Sequence, residues 1–141
     1  MILPDVNVLI YAFRPEMREH PRCRQWLQGV VDGDARFGIS PLALAAVVRV
    51  TTNPRAYSAP SSFEDVFRFC DYLLDQPNCQ IIEPADRHWD IFRRLCIDTN
   101  TRGSTVTDVW YAALAIESGC EWITLDRDFA RFPGLRWRLP D

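Results

Sequence analysis

The chain has 141 residues, 48% of them hydrophobic and 25% charged, which is typical of a globular protein with one substantial core. The net charge of −3 neither indicates nor excludes a nucleic-acid partner, because a protein with a negative net charge can still have a basic surface patch. All 16 basic residues are arginine, which excludes enzyme classes that need a lysine ammonium group.

The predicted elements begin with a strand that leads to an aspartate. Met1–Leu3 is a short apolar run, and Asp5 follows it where parallel sheets bind their ligands. Residues 6–12 can continue as a helix, and Asp is a favoured N-cap, so Asp5 taken alone fits a capping role equally well. A second helix is predicted to begin near Pro21, with a buried stripe of Cys23, Trp26, Leu27, Val30 and Val31.

The middle of the chain predicts a strand and two helices. Phe37–Ile39 is a short apolar run, and Ser40 before a proline indicates the start of a helix. That helix, Pro41–Thr52, is apolar on nearly all sides, which predicts a position in the interior. Ser61 and Glu64 have capping-box spacing for the next helix. Its predicted buried residues are Phe63, Val66, Phe67, Cys70, Leu73 and Leu74.

The rest of the chain predicts two helices among three strands. Asp86 is expected to cap a helix whose inner face carries Trp89, Phe92, Leu95 and Cys96. Thr105–Ser118 has the clearest helical pattern and ends at Gly119, a residue typical of helix C-termini. The strands are predicted at Cys79–Ile82, Glu121–Thr124 and, on an edge, Leu135–Trp137. Their alternation with helices predicts an α/β fold with a mostly parallel sheet of four to five strands, as one domain over residues 1–141.

Three aspartates are predicted to meet at the carboxyl edge of this sheet. Asp5 follows the first strand, Asp126 follows the fourth, and Asp108 lies in the first turn of the Thr105–Ser118 helix. A helix N-terminus stabilises one carboxylate by less than ~1 kcal/mol at a surface, and crowding several together costs more unless a cation neutralises them. Oxygen ligands alone suit Mg²⁺ or Mn²⁺, which activate water for phosphoryl chemistry.

Several motifs resemble those of PIN-domain nucleases. Asp5-Val6-Asn7 resembles their opening motif, Thr107–Ala115 (TDVWYAALA) their third acidic motif, and Thr124–Phe129 (TLDRDF) their fourth. The size, the order of the motifs and the segment Arg49–Pro54 (RVTTNP) are similar to the VapC toxins of bacterial toxin–antitoxin pairs. The resemblance spans essentially the whole chain.

The resemblance implies a three-layer α/β/α fold and Mg²⁺- or Mn²⁺-dependent endoribonuclease activity. It implies that Asp5, Asp108 and Asp126 bind the metal and form the catalytic site. It also implies a cognate VapB-type antitoxin, structured RNA substrates such as tRNA or ribosomal RNA, and a homodimer. The residues expected to orient ligands or water around the site are Asn7, Thr107 and Asp128.

The chain departs from the family pattern in the middle helix. The family usually carries a glutamate there, about three residues before the arginine matched to Arg49, and this chain has Ala46. A PIN-fold module that binds RNA or protein without cleaving therefore remains the alternative. A dehalogenase-type phosphatase or a receiver domain needs a lysine, and the phosphatase also needs an aspartate where this chain has Asn7.

The cysteines and arginines lead to further expectations. The five cysteines are scattered and form no CxxC pair, which predicts free thiols in a reducing cytoplasm. No apolar run approaches the ~18 residues of a membrane span, and Met1 leads directly into a strand, so neither a membrane segment nor a signal peptide is expected. Candidate phosphate contacts are Arg14, Arg18, Arg22, Arg24, Arg127, Arg131, Arg136 and Arg138, any of which fits ordinary surface solvation.

Overall fold

A five-stranded parallel sheet forms the centre of the computed structural model, which describes all 141 residues. The strands are β1 (Ile2–Pro4), β2 (Phe37–Ile39), β3 (Cys79–Ile81), β4 (Glu121–Ile123) and β5 (Trp137–Arg138). They lie in the order β3-β2-β1-β4-β5, and every neighbouring pair is parallel. The predicted α/β fold with four to five mostly parallel strands is confirmed.

Six helices cover the sheet. They are α1 (Val6–Phe13), α2 (His20–Asp32), α3 (Pro41–Thr51), α4 (Phe63–Leu74), α5 (His88–Thr99) and α6 (Val106–Ser118). Helix α1 contacts α2 and α3, α3 contacts α4, and α5 packs on α6. The helices α1 to α4 connect β1 to β3 in one direction across the sheet, and α5 and α6 connect β3 back to β4 in the other. Because such crossovers are right-handed, α1 to α4 lie on one face of the sheet and α5 and α6 on the opposite face. None of the helices has both the length and the apolar character of a membrane-spanning segment.

The core lies on both sides of the two central strands. Leu3 in β1 and Trp122 and Ile123 in β4 are fully buried, as parallel strands covered on both faces require. They belong to a cluster of 31 buried hydrophobic residues, and that cluster fixes β1 and β4 side by side. The edge strand β3 is less covered, with Ile81 55% exposed.

Two predicted helix starts are wrong, and each has a local reason. Ser62, not Ser61, caps α4 by accepting from the Asp65 N–H at 3.1 Å, because the Ser61 hydroxyl accepts from Arg14. Asp86 does not cap α5. The Glu117 carboxylate instead accepts from the backbone N–H groups of Ala85 and Arg87, each at 2.8 Å. The predicted Ser40 cap and the Gly119 terminus of α6 are confirmed.

Three predicted helix faces are partly wrong. The α3 helix is not interior on all sides, since Leu42 is 44% exposed and Ala45 and Arg49 are exposed. In α4 and α5, several apolar side chains predicted to be buried lie outward, namely Phe63, Phe67, Leu74 and Trp89. The core of α5 is formed by His88, Ile91 and Leu95. Each helix packs on the core through one stripe, and the outward aromatic residues contact neighbours on their own helix, Phe63 with Phe67 and Trp89 with Phe92.

Candidate active site

Asp5 joins the end of β1 to the start of α1. Its backbone N–H donates to the Ile123 carbonyl at 2.8 Å, which extends the β1–β4 pairing by one residue. One carboxylate oxygen accepts from the Val6 N–H at 2.6 Å, and the other accepts from the Thr124 hydroxyl at 2.6 Å. Asp5 is therefore both a helix cap and a carboxylate that is only 7% exposed.

Thr124 connects the ends of the two central strands. Its fully buried hydroxyl donates to Asp5 and accepts from the Asp126 N–H at 2.9 Å and from the Asn7 amide at 3.4 Å. The amide oxygen of Asn7 in turn accepts from the Leu125 N–H at 3.4 Å. A hydroxyl has one donor and two acceptor positions, so Thr124 is fully used. It fixes Asp5, Asn7 and Asp126 relative to one another.

Asp126 opens the turn that comes after β4. Its carboxylate accepts from the Asp128 N–H at 2.9 Å and caps a short 3₁₀ helix, Arg127–Arg131. Asp126 is half-buried and Asp128 is exposed. This turn brings the two carboxylates to the surface beside Asp5.

Asp108 comes from the other face of the sheet, in the first turn of α6. Ala112 and Ala115, one and two turns later, are fully buried, so small side chains let this helix lie close to its neighbours. The Asp108 carboxylate lies 3.6 Å from the Arg131 guanidinium, which also donates to the Asp128 carbonyl at 2.8 Å. Arg131 therefore links Asp108 to the turn that carries Asp126 and Asp128.

The charges of these aspartates act on one another. Burial raises the pKa of Asp5 to about 7, helped by the carboxylates of Asp108 and Asp126 and opposed by the hydrogen bonds from Thr124 and Val6. Burial also raises the pKa of Asp108, where Arg131 opposes the rise and the neighbouring carboxylates add to it. The three predicted aspartates therefore share one electrostatic site.

The α3 side of the site carries no carboxylate. Burial, and then Asp5 and Asp108, raise the pKa of the buried Tyr111 to about 12, while Arg49 opposes the rise. The Tyr111 hydroxyl is thus within electrostatic range of both aspartates and of the exposed Arg49 of α3. Ala46 precedes Arg49 by one helical turn, so it shares that face, and it is partly exposed.

Asp108 and Asp126, but not the buried Asp5, line a cleft that contains no apolar residue. One wall is the segment between α5 and α6, and the other is the turn after β4. The lining residues are Thr99, Asn100, Thr101, Arg102, Thr105, Asp108, Asp126, Arg127, Asp128 and Arg131. A polar cleft with both charge signs suits a charged, hydrated ligand rather than an apolar one.

The predicted site residues fall into three groups. Asp5, Asp108 and Asp126 lie together, and Asn7 is joined to two of them through Thr124. Asp128 lies at the mouth of the cleft. Thr107 is exposed and makes no side-chain hydrogen bond, so its orienting role stays a prediction.

The sequence did not single out two residues at the site, Thr124 and Arg102, and it assigned a third, Arg131, a different role. Thr124 stood within a quoted motif, directly after an apolar strand, and its position between two aspartates was the available signal. Arg131 was considered only as a phosphate contact. Nothing in the sequence distinguished Arg102 from the other arginines.

Most of the arginines predicted to contact phosphate are bound to the protein itself. Arg14 is buried, donates to Ser61 and to the Ala59 carbonyl, pairs with Glu16, and lies over the Tyr57 ring. The others bound in this way are Arg22 to Asp141, Arg131 to Asp108, Arg136 to the Gly119 carbonyl and Arg138 to Glu121. Arg127 lines the cleft and makes no ion pair or side-chain hydrogen bond.

The donor chemistry of the site fits a hard divalent cation. Asp5, Asp108 and Asp126 offer only oxygen. Burial, and to a smaller extent the carboxylates of Asp108 and Asp126, raise the pKa of Asp5, and a bound cation would stabilise its charged form. No three His, Cys, Asp or Glu side chains lie close enough to hold one ion together. The aspartates therefore fit a divalent cation by the type of their donor atoms, and their side chains would have to move closer together to bind one ion.

Comparison with known proteins gives consistent relatives. The family model described as PIN domain matches residues 2–135. Ribonuclease VapC43 of Mycobacterium tuberculosis is 40% identical over 140 residues, which are 99% of this chain and 95% of that protein. Ribonuclease VapC25 of the same organism is 36% identical over 99% of each chain. The crystal structure of VapBC2 from Rickettsia felis, bound to a fragment of promoter DNA, contains a chain of the same fold. It has a TM-score of 0.72 and 19% identity over the full length of both chains.

Proposed function

The chain belongs to the PIN-domain family of VapC ribonucleases, and from that membership we propose that it cleaves RNA as the toxin of a toxin–antitoxin pair. The observation that carries the proposal is the grouping of Asp5, Asp108 and Asp126 beside a polar cleft with three arginines. Carboxylates at the carboxyl edge of a parallel sheet are placed to act on a ligand. Arginines along the same cleft are placed to bind the phosphates of that ligand.

Asp5, Asp108 and Asp126 are the proposed ligands of Mg²⁺ or Mn²⁺. When bound, such an ion supplies an activated water and stabilises charge on the phosphoryl group. Thr124 and the Val6 N–H hold the Asp5 carboxylate in one orientation. Because the pKa of Asp5 lies at about 7, this carboxyl releases its proton when positive charge arrives near neutral pH. Asn7 and Asp128 are proposed to orient ligands or water.

The proposed partners follow from the relatives. VapC43 and VapC25 are named ribonucleases, and the Rickettsia felis structure is that of a VapBC complex. We propose that this chain cleaves structured RNA such as tRNA or ribosomal RNA, forms a homodimer, and is held inactive by a small VapB-type antitoxin. Its five free cysteines fit a place of action in the reducing cytoplasm.

A second candidate function is RNA binding without cleavage. It is favoured by one observation, the absence of any carboxylate on α3, where Ala46 shares the face of Arg49. Both functions use the same cleft, so a binding measurement alone does not separate them. Cleavage does.

The test is cleavage of a 5′-labelled structured RNA by the purified chain, with Mg²⁺ or Mn²⁺ varied and with EDTA as the metal-free arm. We expect cleavage only with metal, and a loss of about 100-fold or more in Asp108→Asn, as for removal of a group that acts in the transition state. The control is Asp34→Asn, since Asp34 is exposed and lies outside the cleft. In cells, the wild-type chain should slow growth, and co-expressed antitoxin or Asp108→Asn should relieve it.

Two results would overturn the cleavage proposal. Full activity of Asp108→Asn protein would remove Asp108 from the site, and activity in EDTA would remove the metal. RNA binding by the wild type with no cleavage at any metal concentration would establish the second candidate instead.

A further inference from the structure

The segment between α5 and α6 holds an arginine in a defined orientation at the cleft. The Arg102 Nε donates to the Asn100 side-chain oxygen at 3.0 Å. The Thr105 hydroxyl donates to the Arg102 carbonyl at 3.0 Å, and the hydroxyls of Thr99 and Thr101 are 2.7 Å apart. All five residues line the cleft that contains Asp108 and Asp126. The hydrogen bonds fix both the backbone and the side chain of Arg102.

The backbone conformation of Asn100 allows its side chain to accept the hydrogen bond from Arg102. It ends α5 in the left-handed region, with φ of 50°, and it is the only residue other than glycine with a positive φ. Asn tolerates this region better than most residues, and glycine tolerates it without a steric cost. Its side-chain oxygen is thereby turned toward Arg102, two residues on. The contact is local and does not depend on the distant aspartates.

Arg102 keeps its outer donors free. Of the three arginines in the cleft, Arg131 is paired with Asp108, whereas Arg102 uses only Nε and bonds only a neutral amide. Its two terminal nitrogens make no bond, and the side chain is exposed. An oriented guanidinium with free parallel N–H groups matches the oxygens of a phosphate.

We propose that Arg102 binds a phosphate of the RNA strand next to the one that is cleaved, and that Asn100 positions its guanidinium. This inference rests on the proposed function, because it assigns the substrate contact of the same site. The cleft has no aromatic or other apolar lining on which a base could stack. We therefore expect the strand to be held here through its backbone phosphates, which position RNA without reading its sequence.

The first experiment measures RNA binding by fluorescence anisotropy against salt, in an Asp108→Asn background that binds without cleaving. Arg102→Gln should weaken binding about tenfold and reduce the slope of log K against log salt by about 0.7 to 0.9, the range for one phosphate contact to a single strand or a duplex. Arg102→Lys should keep the slope and recover part of the affinity, since it keeps the positive charge but not the forked guanidinium.

Asn100→Gly keeps the backbone conformation and the charge of Arg102, so it should weaken binding about threefold with the slope unchanged. Arg94→Gln, an exposed arginine of α5 outside the cleft, is the matched control and should change nothing.

The second experiment identifies the phosphate. In the otherwise wild-type chain, Arg102→Gln should raise KM about tenfold and leave kcat within about twofold, the pattern of lost ground-state binding. A neutral methylphosphonate is then placed at single positions around the scissile bond. One position should weaken binding to the wild type and have no further effect in Arg102→Gln, because the two changes remove the same contact.

The outcomes separate this inference from the function beneath it. A wild type that cleaves RNA while Arg102→Gln keeps its KM and salt slope overturns the role of Arg102 and leaves the nuclease proposal standing. A fall in kcat alone, or a Lys variant no better than Gln in a folded protein, also overturns it. A wild type that neither binds nor cleaves RNA overturns both.

Discussion

The two strands that flank β1 end in different ways. On one side, β4 leads into Thr124 and Asp126, and Thr124 bonds to Asp5 at the end of β1. On the other, β2 leads into Ser40, which only caps α3, and α3 offers Ala46 and Arg49 to the same region. Both strands are three-residue parallel neighbours of β1. The residues immediately after each strand therefore give the two sides of β1 different chemistry: the β4 side supplies Asp126, and the β2 side supplies no carboxylate.

The largest expected effect on that acidic side is a dependence of stability on pH. The pKa of Asp5 is about 7 in the folded protein, against a usual value near 4. Between pH 4 and pH 7 the folded state binds more protons than the unfolded state, so the free energy of unfolding falls as pH rises through this range. The total fall, complete above pH 7, is about 4 kcal/mol. Asp5→Asn should lack this fall. Urea unfolding of both proteins from pH 4 to 8, in EDTA, measures it.

Asp108 and Asp126 are the titratable groups that raise the pKa of Asp5 along with its burial, and Thr124 and Val6 lower it. Mg²⁺ at pH 8 should restore stability to the wild type and not to Asp5→Asn, since it replaces the proton at the carboxylate. Parallel pH curves for the two proteins would mean that Asp5 titrates as an ordinary exposed aspartate.

The next effect concerns the link between the β1 and β4 ends. Thr124→Val keeps the shape but removes the donor to Asp5 and the acceptor for the Asp126 N–H, so we expect a loss of about 2–3 kcal/mol of stability. Catalysis should fall about tenfold or more as the two aspartates lose their relative positions. Chemical denaturation and initial cleavage rates give both values.

Thr124→Ser is the control, because it keeps the hydroxyl and removes only a methyl group, at about 1 kcal/mol. A Val variant as stable and active as the Ser variant would show that the hydroxyl does not organise the site.

The smallest expected effect comes from adding a carboxylate to α3, on the side of β1 that has none. Ala46→Glu would add a carboxylate on the face of Arg49, and Arg49, like Asp5 and Asp108, lies within electrostatic range of Tyr111. Because Ala46 is partly exposed, we expect little loss of stability, and a metal concentration for half-maximal cleavage that falls about threefold through added charge on a bound cation. Ala45→Glu, one residue earlier and exposed on another face, should leave the metal requirement unchanged.

A large loss of melting temperature in Ala46→Glu that added metal does not recover would show that this face of α3 packs against the protein and not toward the site. Equal effects of the two glutamates would show that only net charge matters.

The sequence predicted those features of the fold and the site that depend on a few neighbouring residues. Asp5, Asp108 and Asp126 were predicted because each stands at the end of a strand or the start of a helix, which patterns of a few residues reveal. The outer faces of α4 and α5 were not, since Phe63 and Trp89 have the same helical spacing as the residues that pack inward. Only the position of the neighbouring elements decides which apolar stripe is covered.

The interactions inside the site were equally hidden. Thr124 bonds a residue 119 positions away, and threonine is too common a residue for its type to indicate that role. Arg102 is distinguished from other arginines by the left-handed backbone of Asn100, two positions earlier, which the sequence alone does not specify.

The pairing of β1 with β4 has a consequence for protein synthesis. Ile2 pairs with Glu121, so β1 waits for all of the intervening chain to be made before β4 leaves the ribosome. At about 5–20 residues per second, that interval lasts roughly 6 to 24 seconds. Throughout it Asp5 has neither Thr124 nor Asp126 beside it. A nascent chain therefore carries an incomplete site until β4 enters the sheet beside β1.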